Sequence, residues 1–175
     1  ALEHMDYVQF HPTSLYTGST GRAFLISESC RGEGAILLNA KGERFVDELQ
    51  PRDVVSAAVY RQMREDGLPF VRLSFERIPR GVTCRHFRNI RERCLEEGYD
   101  ICEGPIPVAP AQHYLMGGIR VDQDSRSSME HLYAVGETSC SGVHGKNRLA
   151  SNSLLESLVF SRLAARDIVR RRHHA

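Results

Sequence analysis

The chain has 175 residues, of which 41% are hydrophobic and 26% charged, and its formal net charge is +1. These values are ordinary for a globular protein with a buried core, and the near-neutral charge argues against nucleic-acid binding. The sequence shows no secretory signal and no apolar run of the roughly 18 residues that a membrane span needs. Its five cysteines show neither a CxxC pair nor zinc-ligand spacing, so we expect reduced thiols, a cytoplasmic location and no metal site.

The first part of the chain is predicted to be rich in strands and turns. Residues 5–10 alternate and contain Tyr, Val and Phe, which predicts a strand. We expect Pro12 to end this strand, because proline cannot donate to a central ladder. Residues 23–28 predict a second strand or a short buried element, residues 31–34 a turn, and residues 35–39 a further strand.

Helices and strands alternate in the middle of the chain. Apolar residues recur at helical spacing over residues 53–65, and Gly67 is expected to end that helix. Residues 70–75 alternate as a strand. Thr83 can cap a helix that continues to about residue 97.

The last part of the chain is predicted to hold two strands and one long helix. Residues 118–122 and 131–135 have strand patterns. A final amphipathic helix is expected over residues 153–171, where Ser153 and Glu156 have the spacing of a capping box.

Three prolines mark the best candidate for a domain boundary. Pro105, Pro107 and Pro110 predict a stiff extended linker. The pattern before this linker predicts a compact α+β unit, flanked on both sides by strand-loop-helix pieces that look like parts of another sheet. The strand near the start has no partner close by in sequence, which suggests that the rest of its domain comes earlier in a longer chain.

Several polar clusters could carry chemistry, and each taken alone also has a structural interpretation. His11 precedes a proline and is typical of a turn, whereas His113 lies between apolar stretches and fits a satisfied core histidine. Arg52 stands at a helix start, where the dipole disfavours a cation; this suggests a role elsewhere, and a surface salt bridge explains it equally well. Glu28 and Glu33 are of a type that is more often structural than catalytic.

The segment from residue 132 to residue 163 holds the most informative of these clusters. Its loop contains His144 and Arg148 and enters the last helix through Ser151-Asn152-Ser153. A helix start offers unpaired N–H groups and a partial positive charge, and a guanidinium matches the shape of a carboxylate. The segment therefore indicates a site for an anion or a polarised carbonyl.

The set and order of the motifs resemble the succinate dehydrogenase/fumarate reductase flavoprotein superfamily. They run through nearly the whole chain as QFHPT, RGEG, GERFV, PRDVV, PIPVAPAQHY, MGGI and HGKNRLASNSLLE. Within the superfamily, IPVAPAQHYLMGG and RLASNSLLE look most like the branch that oxidises aspartate. The resemblance implies an α+β fold in which a capping domain of small sheets and helices occupies residues 16–105. Pieces of an incomplete Rossmann-like FAD domain would flank it at residues 1–15 and 106–175.

The resemblance also implies roles in binding a C4 dicarboxylate such as L-aspartate or fumarate. Arg52 would lie over the reacting carbons as the proton-transfer residue. Ser27 and Glu28 would line the same pocket from the capping domain. The substrate carboxylates would be gripped by three further catalytic side chains, His11, His113 and Arg148.

FAD is the cofactor that the resemblance implies, and the helix dipole would stabilise charge developing on the reduced flavin. Two residues depart from the family pattern, because Lys146 stands where a small residue is usual and Ser74 where an acidic one is expected. The flavin contacts would come from Glu137, Asn147, Ser151, Asn152 and Leu154.

The Gly-rich GxGxxG turn that binds the ADP half of FAD does not occur in this sequence. We therefore expect the chain to be a fragment that binds no FAD and is inactive by itself. The implied parent enzyme would transfer a hydride from L-aspartate to flavin N5, form iminoaspartate, and use oxygen or fumarate as acceptor. Its product would enter quinolinate and NAD synthesis, with a functional link to quinolinate synthase.

Two alternatives remain open. A succinate dehydrogenase or fumarate reductase flavoprotein would share almost every pocket residue. A non-catalytic interaction domain would cover the apolar face of its last helix within a monomer, whereas a fragment would expose that face or bury it in a dimer. We expect a dimer through the exposed surfaces of the FAD domain.

Overall fold

A computed structural model describes residues 1–172, and the chain divides into two compact units. Unit 1 is Ala1–Gln9 with Gln112–Ala175, and unit 2 is Phe10–Ala111. Residues 173–175 lie outside the described part. The predicted α+β class is confirmed, because small sheets and helices are present together. The assignment of residues 16–105 to a capping domain stays a prediction.

Seven strands and five helices are found in the described residues, with one 3₁₀ turn at Gly136–Thr138. The strands are β1 (Leu2–Glu3), β2 (Val8–Leu15), β3 (Ile36–Leu38), β4 (Val71–Ser74), β5 (Ile106–Leu115), β6 (Gly118–Arg120) and β7 (Ser139–Cys140). The helices are α1 (Glu28–Gly32), α2 (Arg52–Asp66), α3 (Arg80–His86), α4 (Arg88–Glu96) and α5 (Asn152–Arg172).

Unit 2 contains the larger hydrophobic core. A four-stranded sheet has the order β2-β5-β4-β3, and antiparallel pairs such as Leu37 with Leu73 and Val71 with Val108 set its register. The middle strands bring Val71, Leu73 and Ile106 into the core, and branched apolar side chains suit a pleated, buried surface. The sheet buries its apolar residues together with those of the neighbouring helices, including Ile26, Val55, Val59, Leu73, Ile106 and Val108.

The predicted helix over residues 53–65 is confirmed as α2. Pro51 stands at its N-cap, and proline is tolerated there because the helix start has no intrahelical N–H bond to lose. Gly67 ends the helix in the left-handed conformation with a φ of 65°, which glycine adopts without strain. This start places Arg52 in the first turn of α2.

The prolines of two strands contradict the sequence prediction. Strand β2 continues through Pro12 to Leu15, because β2 lies at the edge of its sheet, where a missing N–H is tolerated. Pro107 and Pro110 of the predicted proline linker belong to β5, although that strand lies inside the sheet. Pro107 still accepts a hydrogen bond there, from the backbone N–H of Tyr16 at 3.0 Å.

Two further local predictions in unit 2 need correction. Residues 31–34 are not a simple turn, because helix α1 continues to Gly32. Residues 23–28, predicted as a strand or a short buried element, form the buried element around Ile26. Thr83 lies inside α3 rather than at a cap, and a break at Phe87 separates α3 from α4. Phe87 packs into the core, so tertiary contacts override the continuous helical pattern.

Unit 1 contains a three-stranded sheet of order β1-β6-β7 and the long helix α5. Strand β6 matches the prediction for residues 118–122, whereas residues 131–135 form only one isolated bridge, between Tyr133 and Arg126. Helix α5 exposes several large apolar side chains: Leu154, Leu155, Leu158, Val159, Ile168 and Val169. Among the described residues, no helix is both long and apolar enough to cross a membrane.

The cysteines do not all follow the prediction of free thiols. The structure pairs the sulfur atoms of Cys84 and Cys102, whose Cα atoms are 6.6 Å apart. Cys30, Cys94 and Cys140 are free and buried. The cysteine pattern therefore no longer supports a cytoplasmic location.

Candidate functional site

The first cluster of predicted site residues lies in unit 1, around the loop that precedes α5. The side-chain amide of Gln9 holds this loop: its Nε2 donates to Asn147 Oδ1 at 2.8 Å and to the Arg148 backbone carbonyl at 2.6 Å. Gln9 is buried, and it is the second residue of β2 and the last residue of the first segment of unit 1. A residue from the start of the chain therefore fixes two residues that the sequence assigned to FAD and substrate binding.

Arg148 is buried, and its guanidinium lies beside the start of α5. Its Nη1 donates to Ser153 Oγ at 3.2 Å, and its Cζ lies 4.3 Å from the centroid of the Tyr114 ring. The aromatic face attracts a cation, and the contact restricts the guanidinium to one side of the ring. Because the helix dipole disfavours a cation at this end, the arrangement favours an anion that could bind both groups.

His144 and Glu156 form a second buried contact between the loop and α5. His144 Nε2 lies 2.8 Å from Glu156 Oε2, and the side chains are only 7% and 3% exposed. Ser141 Oγ donates to the other carboxylate oxygen. The ring of His144 meets Tyr114 edge to face, with centroids 5.9 Å apart. Glu156 thus ties the first part of the loop to α5.

This pairing overturns the predicted capping box. Helix α5 begins at Asn152, so Ser153 is already inside the helix, and its hydroxyl accepts from Arg148. Glu156 is committed to His144 and Ser141. The spacing of Ser153 and Glu156 was correct for a capping box, but the packing of the preceding loop uses both side chains instead.

Burial changes the protonation chemistry of Tyr114 beside this pair. Burial raises the pKa of its hydroxyl to about 12, and the carboxylates of Glu156 and Glu137 act in the same direction. Tyr114 therefore stays protonated at neutral pH, with a polar O–H at the end of an apolar ring.

The other predicted residues of unit 1 lie in the 3₁₀ turn, at the start of α5 and in β5. Glu137 is exposed in the 3₁₀ turn, and its Oε1 accepts from the backbone N–H of Leu115 at 3.0 Å. Ser151 is exposed and left-handed, with a φ of 67°, immediately before α5. Leu154 is exposed on the first turn of the helix, and His113 is half-buried in β5.

The second cluster lies in unit 2 and is centred on Glu28. Arg52 donates to Glu28 Oε2 through both Nε, at 2.9 Å, and Nη2, at 2.6 Å. Arg31 Nη2 lies 3.8 Å from the other carboxylate oxygen. The prediction that Arg52 and Glu28 line one pocket is compatible with this pair, in which the carboxylate holds the guanidinium in one place.

Arg31 links the Glu28 carboxylate to Glu48. Arg31 is buried and donates through Nη1 to the Glu48 carbonyl at 2.6 Å, and burial lowers the pKa of its guanidinium. The Glu48 carboxylate accepts from the backbone N–H of Leu37 at 2.7 Å and from Arg44. Arg31 and Glu48 therefore belong to a buried, hydrogen-bonded network of charged groups next to Glu28.

Ser27 and His11 occupy defined positions in unit 2. Ser27 is the N-cap of α1, and its hydroxyl accepts from the Ser29 N–H at 3.2 Å. His11 is buried, and its Nδ1 accepts from the backbone N–H of Thr13 at 3.3 Å. A neutral ring that accepts at Nδ1 carries its proton on Nε2, so Nε2 is the nitrogen that can donate to a carboxylate.

Sequence analysis named His144 and Glu156 but did not predict their contact with each other. It assigned no role to four further residues that hold the predicted ones in place: Gln9, Tyr114, Arg31 and Glu48. Gln9 and Tyr114 belong to quoted motifs, and a buried polar residue next to a predicted ligand is a usable signal. The His144–Glu156 contact leaves no periodic signal, because it joins a loop to a helix across twelve positions.

A comparison with protein families matches residues 1–154 to the family described as FAD binding domain. The chain belongs to this FAD-binding family. The predicted membership of the flavoprotein superfamily is therefore confirmed, and the matched region contains every predicted site residue.

The curated relatives of this FAD-binding chain are L-aspartate oxidases. It is 56% identical over 168 residues to the enzyme of Clostridium perfringens, covering 95% of this chain and 38% of the relative. The enzyme of Neisseria meningitidis is 48% identical, with 96% and 35% covered, and a chloroplastic form from Nicotiana tabacum is 44% identical, with 96% and 28% covered. The chain thus spans about a third of the length of the relatives that it matches.

Solved structures of fumarate reductases are similar to this FAD-binding chain. An E. coli quinol fumarate reductase is 37% identical with a TM-score of 0.83, covering 93% of this chain and 32% of that one. A quinol-fumarate reductase solved with menaquinol is also 37% identical, with a TM-score of 0.86 and 95% and 32% covered.

The residues around the start of α5 fit a flavin by their chemistry. The first helical N–H groups and the side chains of Ser151 and Asn152 offer donors to ring carbonyls. The exposed carboxylate of Glu137 can accept from a ribityl hydroxyl, and Leu154 offers an apolar contact. These groups suit the flavin and ribityl portion of FAD, whereas the sequence offers no Gly-rich turn for its pyrophosphate.

Proposed function

We propose that this chain is the substrate-binding and flavin-contacting part of an enzyme that oxidises L-aspartate to iminoaspartate. The observation that carries the proposal is the buried Arg148 at the start of α5, where guanidinium and helix start favour the same anion. The identity of 56% to an L-aspartate oxidase supports aspartate as the substrate. We propose residues 16–105 as the capping domain, with residues 1–15 and 106–175 as parts of the FAD domain.

In this proposal, bound FAD supplies a hydride acceptor at N5, and the residues of the chain position the substrate. Arg148, His113 and His11 hold its carboxylates through charge and N–H donors. Arg52, held in place by Glu28, donates the proton that fumarate gains when it is reduced. Fixing a substrate in a reactive geometry supplies a large part of such rate enhancements. Oxygen or fumarate serves as acceptor, and the product enters quinolinate and NAD synthesis beside quinolinate synthase.

A fumarate reductase flavoprotein is the second candidate, and the structural similarity to quinol fumarate reductases favours it. The lower identity of 37%, against 56% for the aspartate oxidase, makes it the weaker one. The exposed apolar face of α5 supports association with the rest of a larger FAD domain or with a second copy of this chain. We propose a cytoplasmic location, although relatives in plants are named as chloroplastic.

The decisive experiment uses the full-length flavoenzyme that contains this segment. We expect Arg148→Leu to raise KM for L-aspartate about 30-fold or more, because losing a buried charged partner is worth about 2–5 kcal/mol. Arg52→Leu should instead lower kcat for fumarate reduction about 10²–10⁴-fold, the usual range for general acid catalysis. Steady-state kinetics with both substrates separates the two effects.

Arg88→Leu is the matched control, because Arg88 is an exposed arginine that pairs with Glu92 on α4. Its kinetic constants should stay within about twofold of wild type, since exposed ion pairs contribute little. If Arg52→Leu left kcat for fumarate within about threefold of wild type, the proton-transfer role would be wrong. An enzyme that reduced fumarate but did not oxidise L-aspartate would favour the second candidate.

A further inference from the structure

Three potential metal ligands meet in unit 1, around the ends of strands β1 and β7. One ligand atom from each of Glu3, His4 and Cys140 lies within 4.8 Å of the other two. Glu3 ends β1 and Cys140 ends β7, the outer strands of the sheet β1-β6-β7. The sequence predicts no metal site, because Cys140 lies more than a hundred positions from Glu3 and His4 and the three residues form no short ligand motif.

The sheet holds the three side chains in place. Gly118 of β6 is the register partner of Glu3, and no side chain stands there between the outer strands. His4 has a left-handed backbone with a φ of 52°, and its ring stacks on Tyr7 with centroids 4.2 Å apart and planes 10° apart. Cys140 is buried in its strand. Two of the three ligands are thus restricted before any ion binds.

We propose that Glu3, His4 and Cys140 form a binding site for a borderline divalent cation, with Zn²⁺ as the best fit. Thiolate, imidazole and carboxylate together suit zinc, whereas Mg²⁺ and Ca²⁺ favour oxygen ligands alone. Three protein ligands leave the fourth tetrahedral position to water. Zinc bonds of roughly 2.0–2.3 Å place tetrahedral ligand atoms about 3.3–3.8 Å apart, so three atoms within 4.8 Å of one another need to approach by only about 1 Å.

The charges around the site determine when a cation binds. A thiol binds zinc as the thiolate, so metal binding releases the Cys140 proton and affinity should rise with pH. Arg120 competes with the ion, because its Nε lies 3.8 Å from Glu3 Oε2; its side chain is 66% exposed and can turn into water.

The test is a titration of the purified chain with Zn²⁺ by calorimetry and with Co²⁺ by absorbance. His173 and His174 at the end of the sequence could bind metal themselves, so both are replaced by Gln in the background used. We expect one ion per chain, buffer-dependent release of one proton, and a near-ultraviolet band from cobalt–thiolate charge transfer. Cys140→Ser should abolish that band and weaken binding at least about 100-fold, since even outer-shell changes cost about 10–100-fold.

A second Glu-His pair in the chain provides the control. Glu130 and His131 are also adjacent, and His131 has a φ of 60° and a 90% exposed side chain, but no cysteine is grouped with them within the described residues. His4→Gln should weaken binding about tenfold or more, whereas His131→Gln should not change it. Arg120→Gln should tighten binding. Absence of saturable binding at millimolar zinc, absence of the thiolate band, or equal effects of the two histidine variants would each overturn the proposal.

Discussion

Glu156→Ala tests whether the His144–Glu156 pair holds the loop before α5. The carboxylate is 3% exposed and serves two buried groups, His144 Nε2 and Ser141 Oγ. Truncation leaves each of them without its acceptor, and an unsatisfied buried polar group costs about 1–3 kcal/mol. We therefore expect the free energy of unfolding to fall by about 2–5 kcal/mol.

Urea denaturation of the chain, followed by circular dichroism, measures this loss, and backbone amide exchange locates it. Exchange should accelerate most in residues 141–148 and in the first turns of α5. Glu156→Gln keeps one acceptor oxygen and should lose less than half as much stability. Glu130→Ala removes a carboxylate that is 89% exposed and should change stability by less than about 0.5 kcal/mol. Equal stabilities of Glu156→Ala and Glu130→Ala, with unchanged exchange in the loop, would refute the reasoning.

Two further predictions concern acid stability and backbone packing. Arg91 holds the pKa of the Asp100 carboxyl at about 2, below its usual value near 3.9, so this contribution to stability is present above pH 4 and is lost as pH falls toward 2. Asp100→Asn should flatten the stability curve over that range in acid titrations followed by circular dichroism, and an unchanged curve would contradict the assignment. Gly117→Ala should destabilise the chain by more than about 2 kcal/mol, because a Cβ there would lie 1.9 Å from the His4 carbonyl oxygen. Gly32→Ala, which meets no atom within 4 Å, is its control in thermal unfolding and should not lower stability.

The elements that sequence analysis predicted correctly have strong local signals. Helix α2 has apolar residues at helical spacing, a proline at its start and a glycine at its end, and each of these acts within a few residues. Strand β4 forms within the predicted residues 70–75. The superfamily followed from the order of its motifs, and the match to the FAD-binding family bears this out. The roles of the individual site residues stay predictions.

The wrong predictions depend on where an element lies in the folded unit. Pro12 would end an inner strand, but β2 is an edge strand, and edge position is a property of the whole sheet. Ser153 and Glu156 had the spacing of a capping box, but the loop before α5 supplies Arg148 and His144 as their partners.

The sequence by itself determined the α+β class and the membership of the flavoprotein superfamily, and it supplied the candidate residues for substrate and flavin binding. These depend on local backbone preferences and on the order of motifs, both of which can be read along the chain. Only the tertiary structure decided which side chains support them, such as Gln9 beside Asn147 and Glu156 beside His144. Such contacts join residues far apart in sequence, because strand pairing and helix packing bring them together without any periodic signal.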